Sequence, residues 1–188
     1  KSLFFIKLMI PLKKYIITAI KEPTCKQTSV TKLWFWKSNN FETIIENNKI
    51  NGLLISDYDK GVVVSDLLKK IISICCQNNI PVLVDPKIND FEKYKNSTIL
   101  KPNRNEFNKI CEYYKIENKL DIKSLKTISN ILNLKYLLVT LDKDGMLLYD
   151  REKERLKNFK IENMKNHVAD VTGAGDIVLS SLAYYFLK

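Results

Sequence analysis

The chain has 188 residues, of which 45% are hydrophobic and 28% are charged, and its net charge is +10. This length suits one domain with a substantial core, and this balance is typical of a globular protein rather than a disordered one. A positive charge is typical of nucleic-acid-binding proteins, yet only Arg104, Arg151 and Arg155 are arginines and the lysines are scattered. We therefore expect no nucleic-acid partner.

The four cysteines, Cys25, Cys75, Cys76 and Cys111, show no C-x-x-C spacing, and His167 is the single histidine. These residues are too few and too dispersed to indicate a zinc site, and they suit a reducing compartment. Residues 3–20 are apolar but are interrupted by lysines and a proline, so they lack the ~18 uninterrupted apolar residues of a membrane span. We expect a cytoplasmic protein without a membrane partner.

Strands and helices alternate along the chain after residue 29. The β-branched and aromatic segment 30–36 predicts a strand, in which Trp34 and Trp36 fit a packed sheet face better than a stacking platform for a base or sugar. Further strands are predicted at 53–55, 81–84, 98–100 and 137–140, with 146–149 as a hairpin partner after a turn at 144–145. Helices are predicted at 41–48, 64–77, 106–114 and 122–132. This order predicts an α/β fold: a doubly wound, mostly parallel sheet with helices on both faces.

Polar residues follow three of the predicted strands directly. They are Asp57 with Lys60, Asp85 with Lys87, and Asn103 with Glu106. Ligands of open α/β sheets bind outside the carboxyl ends of the strands. Loops are polar in general, but three such groups at one edge favour a binding site there.

The segment 170–176 reads Asp-Val-Thr-Gly-Ala-Gly-Asp and runs into an apolar helical stretch at 177–187. Glycine lets backbone N–H groups approach a ligand, and the start of a helix favours an anion such as phosphate. Asp176 would repel that phosphate, unless it accepts the proton of a hydroxyl that attacks it. The alternative is a helix cap after a flexible loop. The chain has no Gly-x-x-x-x-Gly-Lys-Ser/Thr, and Val178 stands where a dinucleotide-binding fingerprint needs glycine.

This segment resembles the C-terminal signature of the ribokinase-like (PfkB) carbohydrate kinases. Three further loops resemble those of one branch of this family and occur in the same order along the chain. They are Ser-Asp-Tyr-Asp-Lys-Gly at 56–61, Asp-Pro-Lys at 85–87 with Asp-Phe-Glu-Lys-Tyr at 90–94, and Lys-Pro-Asn-Arg-Asn-Glu-Phe at 101–107. They are similar to the heptose 7-phosphate kinase domain of the bifunctional enzyme of ADP-heptose synthesis. The resemblance implies ATP-dependent phosphorylation of the anomeric hydroxyl of heptose 7-phosphate, a step of lipopolysaccharide core biosynthesis.

The resemblance also implies roles for individual residues. Asp176 is the catalytic base, and the anion hole consists of Gly173, Ala174 and Gly175. The ATP site consists of Asn103, Arg104, Asn105, Glu106, Thr140 and Gly145, with Glu106 acting on Mg²⁺ through water. A monovalent cation is assigned to Asp170 and Thr172, and contacts to the sugar or its phosphate are assigned to Asp57, Lys60 and Lys87. Two structural alternatives stay open: Asn103 to Glu106 also suits a turn before a helix with an acidic first turn, and Lys60 and Lys87 also suit solvated lysines.

The family pattern extends beyond this sequence. We assign residues 1–188 to one partial kinase domain, with 1–29 uncertain, and expect the sugar-binding lid and the C-terminal end to be missing. The lid region mediates the homodimer that we expect in relatives. Trp34 stands where arginine is usual. The alternatives to the heptose kinase are therefore a non-catalytic remnant and a sibling sugar kinase of the same family.

Overall fold

The structure, a computed structural model, describes residues 17–18, 52–57, 65–87, 90–160 and 174–186. The strands of this part of the chain form one mixed sheet, in chain order. They are β1 (Ile17–Thr18), β2 (Leu53–Ser56), β3 (Val82–Asp85), β4 (Ile99–Leu100), β5 (Tyr136–Thr140), β6 (Met146–Asp150) and β7 (Arg155–Phe159). Neighbours from β1 to β5 are parallel, whereas β5–β6 and β6–β7 are antiparallel.

Helices cover both faces of this sheet, as the alternating sequence pattern predicts. They are α1 (Ser65–Gln77), α2 (Arg104–Tyr113), α3 (Ile122–Ile131) and α4 (Ala174–Phe186). The larger core lies on the face of α1, α2 and α3, and the smaller core lies under α4. Along β3, for example, Val82 and Val84 belong to the larger core and Leu83 to the smaller one. This period of two, apolar on both faces, is expected of a central parallel strand.

The predicted elements within the described residues are confirmed, with shifts of a few residues at their ends. Helix α2 begins at Arg104 rather than at the predicted residue 106, because Asn103 caps it. The Asn103 side chain accepts a hydrogen bond from the Glu106 backbone N–H at 2.9 Å. The predicted turn at 144–145 is a short 3₁₀ helix, Asp142–Asp144, followed by Gly145 at φ 94°.

Strand β7 was not predicted from the sequence. Its residues read Arg-Leu-Lys-Asn-Phe, and all except Leu156 are exposed. An edge strand that faces water on both sides needs no alternation of apolar and polar residues. The sequence of β7 therefore shows no period of two, although the strand pairs with β6. The predicted strand at 30–36 and helix at 41–48 lie outside the described residues.

Candidate functional site at the carboxyl edge of the sheet

The carboxyl ends of β2 to β5 lie side by side at one edge of the sheet. The register pairs Ser56 with Asp85, and Val84 with Leu100. The residues that follow or end these strands are therefore Asp57, Asp85, Lys101 and Thr140. The sequence places polar groups at this edge, and the structure joins them through three ion pairs.

The first ion pair lies at the ends of β3 and β4, where Lys101 Nζ is 2.9 Å from Asp85 Oδ1. The Lys101 side chain is 2% exposed and that of Asp85 is 18% exposed. Helix α4 begins against this pair: a Cβ atom added to Gly175 would be 3.1 Å from Asp85 Oδ2 and 3.3 Å from Lys101 Nζ. Gly175 is thus required by close approach of the helix start to the charged pair. Its φ is not in the left-handed region, so the conformational freedom of glycine is not used here.

The second ion pair is buried behind the edge. Asp57 Oδ2 accepts from Lys93 Nζ at 2.7 Å and from the Tyr94 hydroxyl at 2.7 Å. Lys93 and Tyr94 belong to a 3₁₀ helix, Glu92–Tyr94, whose position is fixed by buried Phe91. Burial, reinforced by the charge of Asp57, raises the pKa of Tyr94 far above its usual range, so its hydroxyl keeps its proton. The Asp57 side chain is only 2% exposed.

The third ion pair connects Lys87, after β3, with Glu106 of α2. Lys87 Nζ is 3.2 Å from Glu106 Oε1, and the side chains are 39% and 3% exposed. The other carboxylate oxygen, Oε2, accepts from the Asn103 backbone N–H at 2.9 Å. Asn103 and Glu106 therefore form a reciprocal capping box. This arrangement agrees with the structural alternative for these residues, a turn before a helix with an acidic first turn.

The remaining predicted nucleotide residues lie around the end of β5. Thr140 forms an isolated bridge with Asn103 and its N–H donates to Pro102 O at 3.0 Å. Arg104 donates to Asp144 Oδ2 at 2.6 Å and to the Leu141 carbonyl at 3.4 Å. Gly145 lies one residue beyond Asp144, whereas the Asn105 side chain is exposed.

Part of the predicted site lies outside the described residues. This part comprises Lys60, Asp170, Thr172 and Gly173. Ala174 and Asp176 fall in the first turn of α4, but their side chains are not described. The roles assigned to all these residues remain predictions.

Three residues of this edge were not singled out by the sequence reasoning: Lys93, Tyr94 and Lys101. For Lys101 a signal existed, because it follows the strand 98–100 as Asp57 follows its own strand. Lysine is normally solvated, so only the carboxylate opposite it explains its burial. Lys93 and Tyr94 lie far from any predicted strand end, and their place at this edge follows from the folding of the 90–98 segment.

The sequence resemblance implies Mg²⁺, and the side chains of this edge can be compared with what that ion requires. Among the described residues no three His, Cys, Asp or Glu side chains group to hold a metal ion. Mg²⁺ on nucleotide phosphates needs only one or two carboxylates and keeps several waters. Glu106 fits such a water-mediated role, since its carboxylate is already held in place at the edge.

Solved structures of similar fold define the class of this protein. Ribokinase of Arabidopsis thaliana, complexed with ribose and ATP, superposes with a TM-score of 0.63 at 19% identity, over 80% of this chain and 46% of that one. Adenosine kinase of Anopheles gambiae superposes with a TM-score of 0.67 at 13% identity, over 80% and 48% of the two chains. The fold is that of the ribokinase-like kinases.

The sequence comparison identifies the family. Residues 35–188 match the pfkB family of carbohydrate kinases, and the chain belongs to that family. The bifunctional protein HldE of Campylobacter curvus is 42% identical over 150 residues, which are 79% of this chain and 31% of that protein. An uncharacterized sugar kinase of Buchnera aphidicola is 41% identical over 131 residues, 70% of this chain and 40% of that protein. The chain thus spans less than half the length of these relatives. No helix among the described residues is long and apolar enough to cross a membrane.

Proposed function

We propose that this protein transfers the γ-phosphoryl group of ATP to a sugar hydroxyl, with heptose 7-phosphate as the acceptor and its anomeric hydroxyl as the site of attack. The observation that carries the proposal is the start of α4, where Gly175 lies against Asp85 and Lys101. Gly175, the last glycine of the motif, thereby lies at the carboxyl edge of the sheet. The choice of heptose is supported by the ordered loops at 56–61, 85–94 and 101–107 and by the HldE relatives.

In the proposed reaction each part of the edge has a separate task. The backbone N–H groups of Gly173, Ala174 and Gly175 stabilise the charge that develops on the transferred phosphoryl group. Asp176 accepts the proton of the attacking hydroxyl. Lys60 and Lys87 contact the sugar or its phosphate, and Asp57 contributes through the residues it holds, because its own carboxylate is 2% exposed. When bound, Mg²⁺ neutralises phosphate charge, and Glu106 orients its water shell.

The nucleotide occupies the adjoining part of the edge in this proposal, since Glu106 lies 3.2 Å from Lys87. Its contacts come from the start of α2 and the end of β5, namely Asn103, Arg104, Asn105, Glu106, Thr140 and Gly145. Asp170 and Thr172 would hold a monovalent cation, which would order the glycine loop. We further propose a cytoplasmic location. The homodimer is expected of relatives that carry the lid region, and sedimentation of this protein would test whether it also dimerises.

The substitution Asp176→Asn tests the base. It should lower the rate of phosphate transfer from ATP to heptose 7-phosphate by at least about 10²-fold, the usual contribution of a general base, with little change in ATP affinity measured by isothermal titration. Asp66→Asn is the matched control, because Asp66 also lies in the first turn of a helix and is exposed there. Full turnover by the Asp176 variant would show that the base is assigned wrongly.

A second acceptor is favoured by one observation, the likeness to the Buchnera sugar kinase. A panel of free and phosphorylated sugars separates the two candidates, since a sibling kinase would prefer another acceptor to heptose 7-phosphate. ATP binding without transfer to any sugar would instead indicate the non-catalytic remnant.

A further inference from the structure

The hydroxyl of Tyr94 connects two parts of the carboxyl edge. It lies 2.7 Å from Asp57 Oδ2, and it accepts from the Lys87 backbone N–H at 3.0 Å. The Lys87 carbonyl oxygen is also near, at 3.2 Å. A hydroxyl has one proton, and the shorter contact to a charged carboxylate takes it. Tyr94 therefore donates to Asp57 and accepts from Lys87.

This orientation of the hydroxyl is fixed from behind. The ring of Tyr94 is completely buried, and Asp57 is itself held by Lys93 at 2.7 Å. Residue 86, before Lys87, is a proline, which has no N–H of its own to hold this turn. The hydrogen bond from the Lys87 N–H to Tyr94 thus anchors the backbone just after Pro86.

The side chain of Lys87 begins at this anchored backbone and reaches Glu106, 3.2 Å away. With 39% of its side chain exposed, Lys87 is open to solvent at the edge, unlike Lys93 and Lys101 at 6% and 2%. We propose that Tyr94, anchored by Asp57, is a positioning residue that fixes the Lys87 backbone and so holds its ammonium group where the phosphate of the sugar binds. This inference rests on the proposed function for the identity of the ligand, but not for the positioning itself.

Amide hydrogen exchange tests the positioning without any ligand. In Tyr94→Phe the Lys87 N–H loses its acceptor. Its exchange should accelerate by about fivefold or more, which corresponds to the net stabilisation that one hydrogen bond contributes. Tyr114→Phe is the matched control: its hydroxyl donates to Glu92 at 2.6 Å, in the same 3₁₀ helix, and does not contact Lys87. Equal exchange rates at Lys87 in the two variants would overturn the proposal. If Tyr94→Phe does not fold, the exchange of the Lys87 amide is measured in the parent protein instead. An unprotected Lys87 amide there would also overturn the proposal.

A binding cycle tests whether the positioning serves the ligand. The dissociation constant of heptose 7-phosphate is measured by calorimetry for the parent, Tyr94→Phe, Lys87→Met and the double variant. Because Tyr94 acts through Lys87, the double variant should bind no more weakly than Lys87→Met alone, whereas independent effects would multiply and refute the inference. If the parent protein binds no sugar phosphate, the proposed function fails, and the exchange experiment alone decides the role of Tyr94.

Discussion

Replacing Gly175 with alanine should impair phosphoryl transfer while leaving the fold almost as stable as before. The added Cβ would lie 3.1 Å from Asp85 Oδ2 and 3.3 Å from Lys101 Nζ. Both distances are shorter than ordinary van der Waals contacts, so either the ion pair or the start of α4 must move by a few tenths of an ångström.

Two opposing effects set the magnitude. Alanine is favoured over glycine inside a helix by about 1 kcal/mol, although less at its first turn. Displacing a close-packed neighbour costs about 1–3 kcal/mol, and the lower end applies here because the atoms nearest the added Cβ are the ends of side chains. The free energy of unfolding should therefore change by about 1 kcal/mol or less. A misplacement of 1 Å in an active site can lower the rate by about 10²-fold, so a shift of a few tenths should lower it by about tenfold.

Gly145→Ala is the contrasting variant for stability, because its destabilisation should be much larger. Gly145 has φ 94°, and a Cβ atom there would lie 1.9 Å from the Phe159 carbonyl oxygen. Strain and backbone displacement together should cost about 3 kcal/mol or more. Urea unfolding gives both stabilities, and a coupled assay with ATP and heptose 7-phosphate gives the rates. A Gly175→Ala protein that is fully active, or that loses as much stability as Gly145→Ala, would refute the reasoning.

Two further predictions concern stability. Lys93→Met removes the ammonium group that pairs with the buried Asp57 carboxylate and should lower the free energy of unfolding in urea by about 3 kcal/mol or more. Lys126→Met, which breaks an exposed pair with Glu154, should change it by less than about 1 kcal/mol. Similar losses in both variants would contradict the burial argument. Burial raises the pKa of the Cys75 thiol from 9.0 to about 12, so above pH 9 the unfolded chain releases a proton that the folded chain retains. The free energy of unfolding should then fall by about 1.4 kcal/mol per pH unit from this thiol, and Cys75→Ala should remove that part of the slope.

Elements with a clear apolar period could be predicted from the sequence, and elements without one could not. Strand β3 is buried on both faces and α1 carries buried residues at helical spacing, so each stands out against the polar loops around it. Strand β7 has one half-buried residue and exists because β6 offers it an edge to pair with. That cause lies elsewhere in the chain and leaves no local pattern.

The same distinction applies to the candidate site, where the residues at strand ends could be predicted but their partners could not. Strand ends are local features, so Asp57, Lys87 and Asn103 could be assigned to one edge before the fold was known. The partners of these residues are not local: the Tyr94 hydroxyl reaches Asp57 across 37 positions of the chain, and Lys87 reaches Glu106 across 19. Which lysines are buried and which face solvent follows only from this packing.

That difference in burial separates the three lysines of the edge by what each can do for a ligand. Lys93 and Lys101 are almost completely buried beside Asp57 and Asp85, so moving either ammonium to a phosphate would break a buried ion pair, a change that costs several kcal/mol. Lys87 differs because its own side chain is 39% exposed, so its ammonium is partly solvated and can turn from Glu106 to a phosphate at a smaller cost than a buried lysine. Glu106 keeps a second hydrogen bond, from the Asn103 N–H, when Lys87 leaves. We therefore expect the buried pairs to hold the shape of the edge and Lys87 to be the lysine, among these three, that binds the anionic group of the substrate.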